Sequence, residues 1–168
     1  MPDRPSVLLV VCVAGATVLA GCGASDTTSA ASGPSTLQFR LVTSSTAGPC
    51  HAPPLTSDAP GSACGESGTT TYQVGASLGQ VTPTAVTYPG GTAATQVFSL
   101  ELDQAGSVKL GDITSKAVGK QLAVLIDGRV FNAPTVGSPI TGSSLRLATS
   151  TPAETAQVAA ALHATATS

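Results

Sequence analysis

The chain has 168 residues, of which charged residues make up only 10%, and its formal net charge at pH 7 is −2. This leaves no basic stripe that could neutralise a phosphate backbone, which argues against nucleic acid as a partner. Aromatic residues make up 3% of the sequence and tryptophan does not occur, so a carbohydrate or nucleobase site built from stacked rings is not expected.

The N-terminal 21 residues have the pattern of a secretory signal peptide. Arg4 precedes an apolar stretch from residue 7 to residue 19, which is shorter than the roughly 20 residues that a bilayer-spanning helix needs. The following Leu19-Ala20-Gly21-Cys22 resembles the lipobox of bacterial lipoproteins, in which the cysteine is lipidated and the peptide is cut before it. We therefore expect a lipidated Cys22; the alternative is an ordinary secreted protein with a chance cysteine.

Residues 22–36 are rich in Ser, Thr, Ala and Gly and have no apolar periodicity, as is typical of a flexible tether. A coil of this length spans about 20 Å, and two acyl chains suffice for stable anchoring. The remaining residues, 37–166, are enough for one domain. We expect this domain to be held at the extracytoplasmic side of the cell membrane by its lipid anchor.

Two cysteines remain in the predicted domain, because Cys12 would leave with the signal peptide and Cys22 would carry lipid. Outside the cell, Cys50 and Cys64 are expected to form a disulfide. Such a bridge closes a loop of about 15 residues, worth about 3 kcal/mol in the chain-entropy model. The alternative is a metal site built from Cys50, His51 and Cys64, but no fourth ligand is spaced nearby, and we expect no metal.

The first half of the domain contains one clear strand. Residues 37–42 alternate between apolar and polar side chains, which predicts a half-buried strand. Residues 44–68 are expected to form a loop. Short strands are expected at 72–74 and 80–88, where glycines and prolines interrupt the pattern.

The second half has stronger patterns. A strand is predicted at 97–102 and a helix at 106–118, where apolar residues recur at helical spacing. Two further strands, 120–126 and 129–133, flank Asp127-Gly128, a pair that supplies the positive φ angles of a two-residue hairpin turn. The sequence therefore predicts a β-hairpin.

Both faces of this hairpin are apolar. Counting outward from the turn predicts three pairs on one face: Ile126 with Arg129, Val124 with Phe131, and Leu122 with Ala133. The other face carries Ala123, Leu125 and Val130. We expect this second face, or an exposed strand edge, to receive an extended polypeptide or a partner protein; the alternative is that residues 72–88 cover it.

A last strand at 144–148 precedes a well-marked helix. Thr151 is a predicted N-cap, Pro152 takes the first helical position, and Glu154 completes a capping box. The helix should end near His163. Together the elements predict an α+β fold, with two helices packed on one face of a mostly antiparallel sheet.

Several short motifs follow one another in a fixed order in the second half of the chain. They are Gly106 at a helix start, Val118-Gly119-Lys120, Ile126-Asp127-Gly128, Ala133-Pro134 and Ile140-Thr141-Gly142. In this combination, residues 97–164 resemble the head subdomain of the first periplasmic domain of SecD, a membrane partner of the Sec protein-export channel.

The resemblance implies a SecD-head-like fold and a role in contacting proteins as they emerge across the membrane, with Sec-type export components as partners. In SecD, movement of the head is coupled to proton flow through transmembrane helices. Because the sequence predicts no transmembrane helix, we do not expect proton-driven movement here.

No enzymatic activity and no cofactor are expected. His51 lies in a Pro-rich segment and His163 at a helix end, and no Ser lies three residues before a Lys. Three aspartates receive no catalytic role: Asp103, Asp112 and Asp127.

The leading hypothesis is a non-enzymatic protein- or peptide-binding module. The alternatives are a carrier or sensor of a small apolar or envelope ligand, bound under the disulfide loop, and a structural envelope protein.

Overall fold

The computed structural model describes residues 35–93 and 95–167. The predicted signal peptide, Cys22 and the tether up to residue 34 lie outside this part of the chain. In chain order the elements are β1 (Leu37–Ala47), β2 (Gly61–Cys64), β3 (Thr70–Val81), β4 (Ala85–Tyr88), β5 (Gln96–Glu101), α1 (Gln104–Lys116), β6 (Leu122–Ile126), β7 (Arg129–Asn132), β8 (Ser144–Thr149), α2 (Pro152–Ala161) and β9 (Thr165–Ala166). Neither α1 nor α2 is long and apolar enough to span a bilayer.

The predicted α+β class with two helices is confirmed, and the strands divide into two sheets. Five strands follow the order β2-β3-β1-β6-β7, and four follow the order β8-β5-β4-β9. Every pairing is antiparallel except that of β4 with β9. The predicted hairpin, β6 and β7, pairs with β1. It therefore belongs to the five-stranded sheet, whereas β5 and β8 belong to the four-stranded sheet.

The five-stranded sheet closes on itself. Gly65, directly after β2, forms a parallel bridge with Val130 of β7, and the Glu66 backbone N–H donates to the Val130 carbonyl at 2.9 Å. Because β2 and β7 are the two outer strands of the sheet, this contact joins its edges. We call the five-stranded sheet the closed sheet and the four-stranded sheet the open sheet.

One large hydrophobic core joins both sheets and both helices. Its buried members include Phe39, Val124 and Phe131 from the closed sheet, Phe98 and Leu100 from the open sheet, Leu110 and Ile113 from α1, and Val158 and Leu162 from α2. Complete burial of such a side chain contributes about 1.5–3 kcal/mol. The two sheets and the helices are therefore stabilised by a common core.

The strands of the first half are longer than predicted. The strand expected at 37–42 extends to Ala47, and the segment 44–68, expected to be a loop, contains β2. The short strand at 72–74 is part of the 12-residue β3, and 80–88 contributes the end of β3 and all of β4. Glycines do not end β3, because shifts of register between β1 and β3 absorb the irregularity.

Gly79 has a specific role within β3. Its φ is +144°, and a Cβ built there would lie 3.0 Å from Ile113 Cδ1 of α1. A side chain at this position would be strained and would crowd the helix. Glycine therefore permits α1 to pack closely on the closed sheet.

The predicted hairpin turn is present. Asp127 and Gly128 have φ angles of 49° and 76°, as a two-residue turn of this kind requires. Ile126 lies opposite Arg129, as predicted.

The rest of the predicted hairpin register is wrong by one residue. A shift between Val124 and Leu125 places Asn132, instead of Phe131, opposite Val124, and the Leu122 N–H donates to the carbonyl of Pro134. A bulge of this kind adds one residue to one strand, which counting from the turn does not anticipate. As a consequence, Ala133 packs with the residues of the second face.

The helix caps follow from local sequence. Asp103 caps α1, which begins two residues before the predicted start, and its Oδ1 accepts from the Gly106 N–H at 2.7 Å. At α2 the predicted capping box forms: Thr151 Oγ1 accepts from the Glu154 N–H at 3.1 Å, and Glu154 Oε2 accepts from the Ser150 N–H at 2.6 Å. These bonds satisfy backbone donors that have no partner within a helix.

Candidate functional site

The face predicted to bind a partner lies inside the closed sheet. Ala123, Leu125 and Val130 are 0%, 1% and 1% exposed, and they form a second hydrophobic cluster with Ala63 and Val74. The prediction that these three residues form an accessible binding surface is therefore wrong. The two apolar faces of the hairpin both face hydrophobic cores, one on each side of the sheet.

The segment before β2 covers this cluster. We call residues 51–60 the cover loop. Leu55 of the loop packs against the cluster, and its backbone N–H donates to the carbonyl of Gly128 at 3.0 Å. Tyr72 and Val74 of β3 also belong to the cluster. The segment 72–88, considered as the alternative cover of this face, therefore contributes two side chains to the cluster.

Arg40 of β1 fastens the cover loop. Its side chain is fully buried, and its Nη1 donates to the carbonyls of Ala59 at 2.6 Å and Gly75 at 3.1 Å. Its Nη2 donates to the carbonyl of Ser57, and its Nε donates to Gln38 Oε1 at 2.9 Å. One guanidinium therefore joins β1, β3 and the cover loop.

The charge of Arg40 is compensated mainly by these carbonyl dipoles. Burial lowers the pKa of the guanidinium, and the negative charge of Asp58 acts in the opposite direction. Asp58 is held nearby, because its Oδ1 accepts from Gln38 Nε2 at 3.0 Å. A guanidinium nevertheless stays protonated in proteins, so the position retains a buried cation whose hydrogen-bonding partners are required for stability.

The disulfide between Cys50 and Cys64 is present, with a Cα–Cα distance of 5.5 Å. Cys64 is buried at the end of β2. The bridge therefore ties the start of the cover loop to the strand that follows it. Because the two sulfurs are bonded to each other, the alternative site with His51, which is exposed, lacks its thiolate ligands.

A cleft separates the closed sheet from the first turns of α2. Its volume is about 530 Å³, and its lining includes Glu66, Phe131, Glu154 and Gln157. A second depression of about 310 Å³ shares Glu66, Phe131 and Gln157 with it. These walls mix carboxylate, amide and aromatic groups, and no histidine or cysteine lines either space. The cleft also contains the hydroxyls of Ser67, Ser150 and Thr151, but among the described residues none of them is hydrogen-bonded to a carboxylate, as an activated nucleophile is to its base.

Sequence reasoning missed the role of Arg40. The only signal was its place in the alternation of 37–42, where Gln38 and Arg40 share the face opposite Phe39. Two long polar side chains on one face of a strand are usually solvated. The structure buries Arg40 because carbonyls of the cover loop, about 20 residues away in sequence, replace the water, and it leaves Gln38 half-buried.

Comparison with known proteins identifies relatives in protein export. Residues 74–167 match the family model of the SecDF P1 head subdomain. The protein translocase subunit SecD of Acidaminococcus fermentans is 39% identical over 61 residues, which are 36% of this chain and 15% of that protein. SecD of Rickettsia bellii is 40% identical over 48 residues, 29% of this chain and 9% of that protein. The chain thus matches less than a fifth of the length of these relatives.

Solved structures show the same fold. A structure described as a membrane component SecDF that enhances protein export aligns with a TM-score of 0.50 and 19% identity, covering 77% of this chain and 62% of that chain. SecDF in its super-membrane-facing form aligns with a TM-score of 0.50 and 18% identity, covering 76% of this chain and 18% of that chain. The predicted SecD-head-like fold is confirmed.

Replacing the buried guanidinium should loosen the cover loop. In Arg40→Met the carbonyls of Ser57, Ala59 and Gly75 lose a donor, and we expect the free energy of unfolding to fall by about 2–4 kcal/mol. Urea denaturation measures this loss. The control is Arg146→Met at an exposed position, which should change stability by less than about 0.5 kcal/mol. Equal effects of the two variants would contradict the role of Arg40.

The close approach of the cover loop to the hairpin can be tested at Gly128. A Cβ there would lie 2.5 Å from the Leu55 carbonyl oxygen and 2.6 Å from the Leu55 nitrogen, whereas Gly119, with nearly the same φ, has nothing within 4 Å. Both alanine variants incur a left-handed strain of about 1–2 kcal/mol. Gly128→Ala should cost about 1–3 kcal/mol more, from overpacking. Matching denaturation midpoints for Gly128→Ala and Gly119→Ala would show that the loop does not press on the turn.

Proposed function

Because this chain belongs to the SecDF P1 head subdomain family, we propose that it is a non-enzymatic accessory of protein export that binds polypeptides at the extracytoplasmic side of the membrane. The observation that carries the proposal is the match of residues 74–167 to the head subdomain. These residues include the whole open sheet and both helices. The SecD relatives are named as translocase subunits, and a related SecDF is described as enhancing protein export.

The side-chain chemistry of the described residues favours binding over catalysis. The cleft beside α2 brings serine hydroxyls and glutamate carboxylates together, but no hydrogen bond joins a hydroxyl to a carboxylate among its described residues. The buried Arg40 donates to the cover loop, to Gly75 of β3 and to Gln38. These polar groups are therefore used to hold the fold or to line a surface.

We further propose that Cys22 is lipidated and that residues 22–36 tether the domain to the membrane. The support is the Leu19-Ala20-Gly21-Cys22 sequence after an apolar stretch. The disulfide between Cys50 and Cys64 is in keeping with an oxidising compartment. A tether spanning about 20 Å would keep the domain close to polypeptides that leave an export channel.

The anchor is tested by exchanging one cysteine at a time. Cells grown with an alkyne-bearing palmitate analogue should label the wild-type protein and Cys12→Ala, because Cys12 lies in the part that is removed. Cys22→Ala should carry no label and should leave the membrane fraction. Label on Cys22→Ala, or an unlabelled wild-type protein, would contradict the proposed anchor.

The role in export is tested by the rate at which a secreted reporter matures. In pulse-chase labelling, cells without this chain should release the mature reporter more slowly, and the wild-type gene should restore the rate. Since the lipid holds the protein at the membrane, Cys22→Ala should restore it incompletely. Identical maturation rates with and without the chain, for several secreted reporters, would contradict a role in export.

A further inference from the structure

The open sheet has two outer strands, β8 with six residues and β9 with two, and β8 forms the longer edge. Strand β8 pairs with β5 on one side and is the end of the strand order. Among residues 35–93 and 95–167, no backbone hydrogen bond joins residues 144–149 to anything beyond β5. The closed sheet differs, because its outer strands meet at Gly65 and Val130, and the Ser77 N–H on the outer side of β3 is bonded to the Asp58 carbonyl.

The hydrogen-bonding direction of each β8 residue follows from its neighbours. The Leu102 N–H donates to Ser143 O, toward the β8 side, whereas Glu101 O accepts from the Thr84 N–H on the β4 side. Backbone groups of successive residues in a strand point to opposite edges. The residues whose N–H and C=O groups point away from β5 are therefore Ser144, Arg146 and Ala148.

The side chains leave this edge accessible. Ser144, Arg146 and Ala148 are exposed, while Leu147 and Thr149 are buried against the core. Ser144 and Ala148 are small, so little side-chain bulk stands over the open backbone groups. A strand added here would be held mainly by main-chain hydrogen bonds, which do not depend on the sequence of the added segment.

The charge of Arg146 disfavours a second copy of this chain as the occupant. Two β8 strands that pair through their outward-pointing groups, in antiparallel register centred on residue 146, would place two Arg146 side chains opposite each other. Like charges directly opposite in a sheet are destabilising, and charged residues are a common protection of edge strands. A polypeptide of another sequence meets no such repulsion.

We propose that the outer edge of β8 binds an extended segment of an exported polypeptide as a fifth strand of the open sheet. This inference rests on the proposed function and assigns the site at which it is carried out. Ser144, Arg146 and Ala148 supply the N–H donors and C=O acceptors, and the six residues of β8 set the length of the segment that is bound.

The wild-type protein provides the first test. Amide hydrogen exchange is followed by NMR with and without reduced, carboxymethylated α-lactalbumin, which is permanently unfolded. The N–H groups of Ser144, Arg146 and Ala148 should exchange more slowly when the probe is present. Those of Leu145 and Leu147, which already point to β5, should change little.

A proline at the edge provides the second test. Ala148→Pro removes an outward N–H but keeps the ladder to β5, and edge strands tolerate proline at such positions. We expect Ala148→Pro to weaken binding of the probe by at least about tenfold. Ala148→Val keeps the N–H and should bind within about threefold of the wild type.

Each contrary result has a distinct meaning. Undiminished binding by Ala148→Pro, with unchanged exchange at the three amides, would overturn the β8 site while the proposed function stands. No binding of the probe by the wild type would overturn both. If exchange at these amides slows as the protein concentration rises, without any probe, the edge binds a second copy of this chain and the proposal is overturned. If Ala148→Pro fails to fold, the wild-type exchange data decide.

Discussion

The arrangement of the closed sheet depends on the buried guanidinium of Arg40. A cation without water is unfavourable unless its donors are satisfied, and here the carbonyls that satisfy them belong to the cover loop and β3. The loop is thereby held over the apolar cluster of Ala123, Leu125 and Val130. The disulfide from Cys50 to Cys64 limits how far the loop could move away. This apolar face, which could bind other proteins if it were exposed, is thus buried by the chain itself.

The two sheets share a core but differ in what their edges offer. The closed sheet joins its outer strands and carries a buried apolar cluster on each face, whereas the open sheet ends on one side at β8 with backbone groups directed outward. The family match, residues 74–167, covers the open sheet, both helices and the β6–β7 hairpin of the closed sheet. We infer that contact with polypeptides falls to the open sheet.

The hairpin turn and the helix caps could be predicted from the sequence, whereas the register shift in the hairpin and the contacts of the cover loop could not. The Asp127-Gly128 turn and the capping box of Thr151 and Glu154 each depend on a few adjacent residues, and the structure contains both. The bridge between residues 65 and 130 and the bonds of Arg40 to the cover loop join segments separated by long stretches of chain. Periodicity shows that a face is apolar, as it did for Leu125, but the element that covers the face is decided by these distant contacts.

The most direct test of the account is photocrosslinking in living cells during synthesis of a labelled secreted reporter. A benzophenone amino acid is placed at position 148, on the outer edge of the open sheet, or at the exposed position 45 of the closed sheet. We expect adducts with the newly made reporter from position 148 and few or none from position 45. Adducts from position 45 and none from position 148 would contradict the claim that polypeptides are bound at the open sheet.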